Sequence, residues 1–352
     1  MQNILVTGGC GYIGSHITLE LINRGYNVIV FDSNLNSSPR TIDCIRKISI
    51  GCGSNNGGTL KFVQGDIRDK KILDNLFSSN LENGSKINSV IHLAGLKSVR
   101  ESFLNEKIYW DINVNGTINL LKMMIKYYCK NIVFSSSATV YGHPKSIPIF
   151  EDFDTNPINP YGKTKLAVEN LIRDIVLKNL NTFNAINLRY FNPIGAHNSG
   201  YLGEDYRFSS NNIFPNLVKV ALKKEKYFKV FGDNWPTPDG TTIRDYIHIT
   251  DLAEGHIAAI EYLSNNSPGF VSLNLGTGLK TSVLELITTF EVVNKVKIPY
   301  KICKKRTGDT AFLLASNSKA MDILNWQFNN SLEDMCRDGW KFVLKNLHYL
   351  NL

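Results

Sequence analysis

Residues 2–32 read QNILVTGGCGYIGSHITLELINRGYNVIVFD, and the order of residue types in this stretch decides the fold. Ile4, Leu5 and Val6 form a short apolar run suited to a buried strand. Gly8, Gly11 and Gly14 follow at GxxGxxG spacing. Tyr12 to Arg24 then has helical periodicity, with Ile13, Ile17, Leu21 and Ile22 on one face. Gly25 stops that helix, and Val28 to Phe31 reads as a second strand ending at Asp32. A strand-to-helix turn without side chains lets backbone approach a pyrophosphate, and the helix N-terminus aims its unpaired N–H groups at the anion. Asp32, at the tip of the second strand, is placed to accept hydrogen bonds from both ribose hydroxyls. A 2′-phosphate there meets like charge, so NAD is favoured over NADP. A glycine triplet alone is weak evidence; strand, helix and distal acid in register make it a dinucleotide site.

The 352 residues suffice for one large or two modest domains, and the 43% hydrophobic content is ordinary for a chain with a real core. No apolar run approaches the ~18 residues that span a bilayer, which excludes a membrane-spanning reading. The chain enters a strand at once, so no signal peptide is expected. The six cysteines, Cys10, Cys44, Cys52, Cys129, Cys303 and Cys336, form no CxxC pair. Reduced thiols and a cytoplasmic location are therefore expected. The formal charge is +8, but basic and acidic residues are interleaved, which argues against nucleic acid and leaves either an ordinary solvated surface or a cleft that attracts an anionic small substrate. The seven histidines include no HxxxH or HExxH pair, and no metal site is expected.

Further strands are expected at Leu60–Val63, Val90–Leu93, Asn131–Phe134 and Asn184–Leu188, with helices at Leu73–Phe77, Ile108–Tyr128 and Tyr161–Leu180. SNLNSSPR after Asp32 reads as a polar loop, and Gly51–Gly58 as an exposed, mobile loop tip. This alternation predicts a Rossmann-type, doubly wound parallel α/β sheet. Beyond Phe191 the alternation breaks down. Helices are expected at Ile213–Leu222, Asp251–Tyr262 and Val283–Val293, and a strand at Lys229–Phe231. The expected division is a cofactor domain over residues 1–191 and a smaller mixed α/β substrate-binding region over 192–352, some of whose segments return to the sheet.

Tyr161 and Lys165 stand four apart at the start of a predicted helix, on one face. A phenol ionises near pH 10, and moving it to about 7 needs roughly 4 kcal/mol of preference for the phenolate. One ammonium at ~4 Å in an effective dielectric of ~20 supplies about that much. Ser137, after the fifth strand, is placed to hydrogen-bond the same hydroxyl. The expected roles are Tyr161 as general base and acid, Lys165 as its tuner and ribose ligand, and Ser137 as the group that steadies the reacting hydroxyl.

With these residues in hand, the chain resembles the extended short-chain dehydrogenase/reductase family, and within it the UDP-glucose 4-epimerases. The resemblance runs from Ile4 to about Trp340 and is carried by TGGCGYIGSH, GDIRD, HLAGLKSVRES, SSSATVYG, PYGKTK, LRYFNPIGAH, DGTTIRDYIH and RTGDTA. It implies that Tyr12 and Ile13 lie under the pyrophosphate. Asp32, Asn36 and Ser37 would meet the adenosine ribose, and Asp66 and Ile67 the adenine. Leu93, Ala94, Gly95 and Lys97 would line the cofactor's second half, with Phe191 near the nicotinamide. For the UDP-sugar it implies Lys97, Asn192, Asn212, Ile213, Phe231, Arg244, Tyr246, Arg306 and Asp309, beside Ser137 and Tyr161. Arg244 and Arg306 suit bidentate grip of a pyrophosphate, and Phe231 offers a flat face to uracil.

The implied reaction interconverts UDP-glucose and UDP-galactose through a 4-keto sugar, with NAD held throughout, and places the chain in galactose metabolism. A homodimer through the Ile108–Tyr128 and Tyr161–Leu180 helices is also implied. Two positions depart from the family pattern. Ile112 replaces an asparagine found beside the cofactor in some members. Leu313 occupies the position that gates the sugar pocket, which leaves acceptance of UDP-N-acetylglucosamine or UDP-N-acetylgalactosamine open. A nucleotide-sugar dehydratase or decarboxylase is the same-fold rival, but Ala138 and Thr139 provide no acid where such enzymes carry one; a catalytically silent NAD sensor is the rival of another class, but Tyr161 and Lys165 both stand.

Overall fold

The computed structural model describes residues 2–51, 57–178, 182–208, 212–306 and 308–351. The chain alternates through β1 (Asn3–Thr7), α1 (Tyr12–Asn23), β2 (Asn27–Asp32), α2 (Arg40–Gly51), β3 (Leu60–Gln64), α3 (Lys70–Glu82) and β4 (Ser89–His92). Next come α4 (Val99–Leu104), α5 (Glu106–Tyr109), a π-helical segment (Trp110–Asn115), α6 (Gly116–Lys126), β5 (Asn131–Ser137), α7 (Pro160–Lys178) and β6 (Asn184–Tyr190). The second half holds β7 (Asn192–Ile194), α8 (Ile213–Ala221), β8 (Phe228–Phe231), β9 (Ile243–Arg244), β10 (Tyr246–His248) and α9 (Ile249–Asn265). It ends with β11 (Phe270–Leu275), β12 (Thr281–Ser282), α10 (Val283–Asn294), β13 (Tyr300–Cys303), β14 (Phe312–Leu313), α11 (Ser318–Leu324) and α12 (Leu332–Leu350).

Seven strands form one all-parallel sheet in the order β11-β6-β5-β4-β1-β2-β3. Both faces are covered: Ile4 and Val6 enter one apolar cluster, and Leu5 the other. This is why the strands read as continuous apolar runs. The chain leaves β1 toward β2 on one side and reaches β4 on the other. A crevice opens at the C-terminal ends of β1 and β4, where ligands bind in such sheets. β11 comes from beyond residue 191 and pairs with β6, Leu273 opposite Leu188. A third core, with Phe214, Leu217, Phe290, Met335 and Trp340, joins α8, α10 and α12. Gly339 is required there, because a Cβ on it would come within 2.5 Å of the Phe214 ring.

Two expectations are corrected. The polar loop expected after Asp32 runs to Pro39, and beyond it stands α2, not anticipated, whose Ile42, Ile45 and Ile48 are buried. The single helix expected over 108–128 is broken by the π segment, and the short helix at 73–77 extends over Lys70–Glu82. β11, β13 and α12 were not anticipated. Most of the 51–58 insert and Leu180 lie outside the described residues.

Candidate functional site

The turn after β1 is closed by glycine. A Cβ on Gly8 would meet the Ala94 backbone nitrogen at 2.7 Å, and one on Gly14 the Gly8 carbonyl oxygen at 2.3 Å. Gly11 is the N-cap of α1 and has no side chain to cap it, so the first-turn N–H groups of Tyr12 and Ile13 are left for a ligand. These glycines line a cavity that runs past Asp32, Asn36 and Ser37, then Asp66 and Ile67, and on past Leu93, Ala94, Gly95 and Lys97 to Tyr161 and Lys165. Ile112 also lines it.

Asp32 is buried and already committed. Its Oδ2 accepts from the Cys10 N–H at 2.9 Å; its Oδ1 accepts from the Asn34 N–H at 2.8 Å and the Ser37 hydroxyl at 2.9 Å. Oδ2 therefore keeps one acceptor position, and the expected grip on both ribose hydroxyls through Oδ1 and Oδ2 requires Ser37 to yield. Asp66 is held by Arg68, whose Nη2 donates at 2.7 Å, and the Ile67 carbonyl accepts from Asn119 at 3.4 Å.

A second cavity opens beyond Tyr161 and is lined by Ser137, Phe191, Asn192, Asn212 and Ile213, and by Phe231, Arg244, Tyr246, Arg306 and Asp309. Phe191 stands here and not in the first cavity. Leu313 is absent from the lining and packs against the buried cluster of Ala138, Val140 and Phe191. Two buried polar atoms of residues lining this cavity, Asn192 Oδ1 and Tyr246 Oη, have no hydrogen-bond partner among the described residues. Arg306 lies 3.7 Å above the Phe231 ring centroid, so one face of the ring expected to receive uracil is covered by a guanidinium. Arg244 spends Nη1 on the Ile243 and Thr310 carbonyls, and its Nη2 stands 3.9 Å from the Asp309 carboxylate.

Tyr161 lines both cavities, while Lys165 lines only the first and Ser137 only the second. Burial raises the Tyr161 phenol above its ordinary pKa, the Tyr190 phenol raises it further, and a side-chain hydrogen bond with Ser137 pulls it back. Ser137 Oγ already accepts from the Thr139 N–H at 3.2 Å and the Thr139 hydroxyl at 3.0 Å. Its own proton therefore points elsewhere, as a donor that favours the phenolate. The Lys165 ammonium is turned to the Ser135 carbonyl at 2.7 Å and lies 5.8 Å from the Tyr161 ring centroid. In the chain by itself desolvation has the largest effect on the phenol, and the Lys165 ammonium, whose expected effect a nicotinamide cation would add to, is directed at Ser135. Burial also pushes Lys165 down, to about 8, against the opposing charge of Glu169.

Three residues received no role from the sequence, although Asn113 stands beside the Ile112 departure. Asn113, in the π segment, accepts from the Leu96 N–H at 2.8 Å and donates to the Leu96 carbonyl at 3.1 Å and to Thr164 Oγ1 at 3.1 Å. It holds the loop after β4 to the helix that carries Lys165. Tyr190 lines both cavities, its hydroxyl bonded to that of Ser135. Glu204 is buried beside Lys97. The π segment is a usual mark of a functional site, but sequence periodicity does not reveal it.

A family model described as GDP-mannose 4,6 dehydratase matches residues 5–339. A bifunctional UDP-glucose 4-epimerase and UDP-xylose 4-epimerase of Pisum sativum is 46% identical over 346 residues, covering 98% of this chain and 96% of that relative. The chain belongs to the UDP-glucose 4-epimerase family. Two solved epimerases of this family superpose on nearly the whole chain. One, from Stenotrophomonas maltophila with bound NAD and formylated UDP-arabinopyranose, has a TM-score of 0.93 and 40% identity, covering 99% of this chain and 100% of its own. The other, from Bifidobacterium longum in complex with NAD+ and UDP, has a TM-score of 0.90 and 42% identity, covering 98% and 99%. Like them, this member of the epimerase family is built on a parallel Rossmann-type sheet. Among the described residues no group of acids, cysteines and histidines is placed to hold a metal, and no helix is long and apolar enough to cross a membrane.

Proposed function

We propose that the chain interconverts UDP-glucose and UDP-galactose by inversion at carbon 4 of the hexose, with NAD in the first cavity and the nucleotide sugar in the second. The carrying observation is that Tyr161 alone of the three expected catalytic residues faces both cavities. The glycine cradle and the α1 N-terminus suit the pyrophosphate of NAD, and Asp32 suits a free 2′-hydroxyl. NAD bound there supplies a hydride acceptor and, in the return step, the donor, so it is regenerated each turnover.

The chain's own residues do the proton work. Tyr161 takes the proton of the 4-hydroxyl as that carbon is oxidised, and returns it when the 4-keto sugar is reduced from its other face. The Ser137 hydroxyl donates toward the phenolate. Lys165, anchored on Ser135, keeps a positive charge behind it. Asn192, Asn212, Ile213, Phe231, Arg244, Tyr246, Arg306 and Asp309 hold the UDP part, and the two unpartnered atoms of Asn192 and Tyr246 are natural contacts for it. The grip belongs on UDP because the hexose must turn over between the two hydride transfers. Residues 1–191 chiefly hold the cofactor and 192–352 the UDP-sugar, and the active form is a homodimer. The test is incubation of the purified chain with UDP-galactose, UDP-glucose and their N-acetyl analogues, without added nicotinamide, and resolution of the product sugars. Interconversion of the first pair supports the proposal. Product only with added NAD, or a dehydrated sugar, overturns it.

A further inference from the structure

The carboxylate of Glu204 is a meeting point for residues from both cavities. Its Oε1 accepts from Lys97 Nζ at 3.1 Å and from Asn212 Nδ2 at 2.8 Å. Lys97 follows β4 and lines both cavities; Asn212 is the N-cap of α8 and lines only the second. An asparagine at this position ordinarily folds its side chain back to accept from the helix's first N–H groups. Asn212 makes no such bond. Its amide is drawn to Glu204, so among the described residues the first-turn N–H groups of the nine-residue α8, those of Ile213 and Phe214 since Pro215 has none, receive no bond from the cap side chain and face a place suited to an anion. The residues on either side of Glu204, Gly203 and Asp205, line the cofactor cavity. The segment is clamped from outside, since the Tyr349 ring is sandwiched between Arg40 at 3.9 Å and Arg207 at 4.2 Å, and its hydroxyl donates to Asp205.

We infer that Glu204 is a positioning residue that couples the two cavities, holding the α8 N-terminus open for the UDP diphosphate while fixing the Lys97 ammonium beside the cofactor. This rests on the epimerase reading above. Glu204 touches neither ligand in this scheme and acts through Lys97 and Asn212. A buried carboxylate with two charge-assisted or polar partners is well suited to that, because each partner's geometry depends on the other's.

The test uses the purified holoenzyme and the variants Glu204→Gln, Glu204→Ala, Lys97→Met and Glu204→Gln with Lys97→Met. Binding of UDP is read by calorimetry, turnover of UDP-galactose as kcat and KM, and NAD retention by gel filtration. Glu204→Ala should weaken UDP binding and raise KM about tenfold, the loss expected for one charge-assisted hydrogen bond. Glu204→Gln keeps an acceptor for Asn212 and should hold UDP within about threefold of wild type, yet shed NAD faster. The double variant should lose no more NAD than Lys97→Met alone, because the charge pair is already broken. Additive NAD losses in that cycle, or unchanged UDP binding in Glu204→Ala, overturn the inference. Should Glu204→Ala not fold, the glutamine cycle still decides. A wild type that binds no UDP and turns over no UDP-hexose sinks the epimerase reading instead.

Discussion

At Tyr161, burial and function pull in opposite directions. The phenol is buried, which raises its pKa, and the proposed role as general base requires that the charged form be reachable near neutrality. Ser137, with both acceptor positions filled by Thr139, is the chain's own donor toward it. Tyr161→Phe should keep bound cofactor and lose at least ~100-fold in kcat, the usual cost of a missing general base; near-normal turnover would refute its role. Lys165 offers a second test. Its folded pKa of about 8 lies below the 10.5 of an exposed lysine. Between those values the unfolded chain binds more protons than the folded one, so stability rises with pH across that window. Relative to Lys165→Met, wild type should gain up to about 3 kcal/mol from pH 8 to 10.5 in denaturant unfolding. A flat difference would show that the ammonium is not desolvated.

Elements were legible where side-chain pattern and backbone agreed. β1, α1 and β2 followed directly from an apolar run, a glycine turn and a helical stripe. α2 did not, because TIDCIRKISI is rich in β-branched and polar residues of modest helix propensity. It is helical because Ile42, Ile45 and Ile48 find a core to bury in. The π segment was equally hidden, since one extra residue per turn leaves no mark on composition. Its effect is specific: it places Asn113 against Leu96 and Thr164, and a Cβ on Gly95 would come within 2.9 Å of that amide. Asn113→Leu strips the Leu96 backbone groups of their partner. We expect a loss of about 3 kcal/mol in urea unfolding and faster NAD release on gel filtration. Stability and retention equal to wild type would show that the loop needs no such tie.

The whole molecule carries two further expectations. Phe103, Leu104, Ile108 and Trp110 lie together in sequence around α4 and α5 and are exposed, Leu104 by 76%. An apolar strip of this kind suits the contact surface of the homodimer proposed above. Leu104→Glu should convert a dimer into a monomer in light scattering; a wild-type monomer would end the homodimer proposal. The second concerns acid. Burial lowers His16 and His92 to about 3 and His256 to about 4, from 6.5. Below pH 6.5 the unfolded chain binds protons that the folded one refuses, so stability falls as pH drops from 6.5 toward 3. Replacing His256 by Gln should flatten part of that slope in thermal scans.

The amino-acid order by itself determined the dinucleotide half-site, the alternation that makes a parallel sheet and the spacing of Tyr161 and Lys165. All of these depend on contacts within a few residues along the chain. Tertiary structure alone decided that β11 completes the sheet, that Arg306 covers Phe231, and that Lys165 is turned to Ser135. It also decided that Glu204 joins Lys97 to Asn212. Lys97 and Glu204 stand 107 positions apart. Nothing local specifies such a pair; it forms only when the packed sheet and helices bring two loops to one crevice.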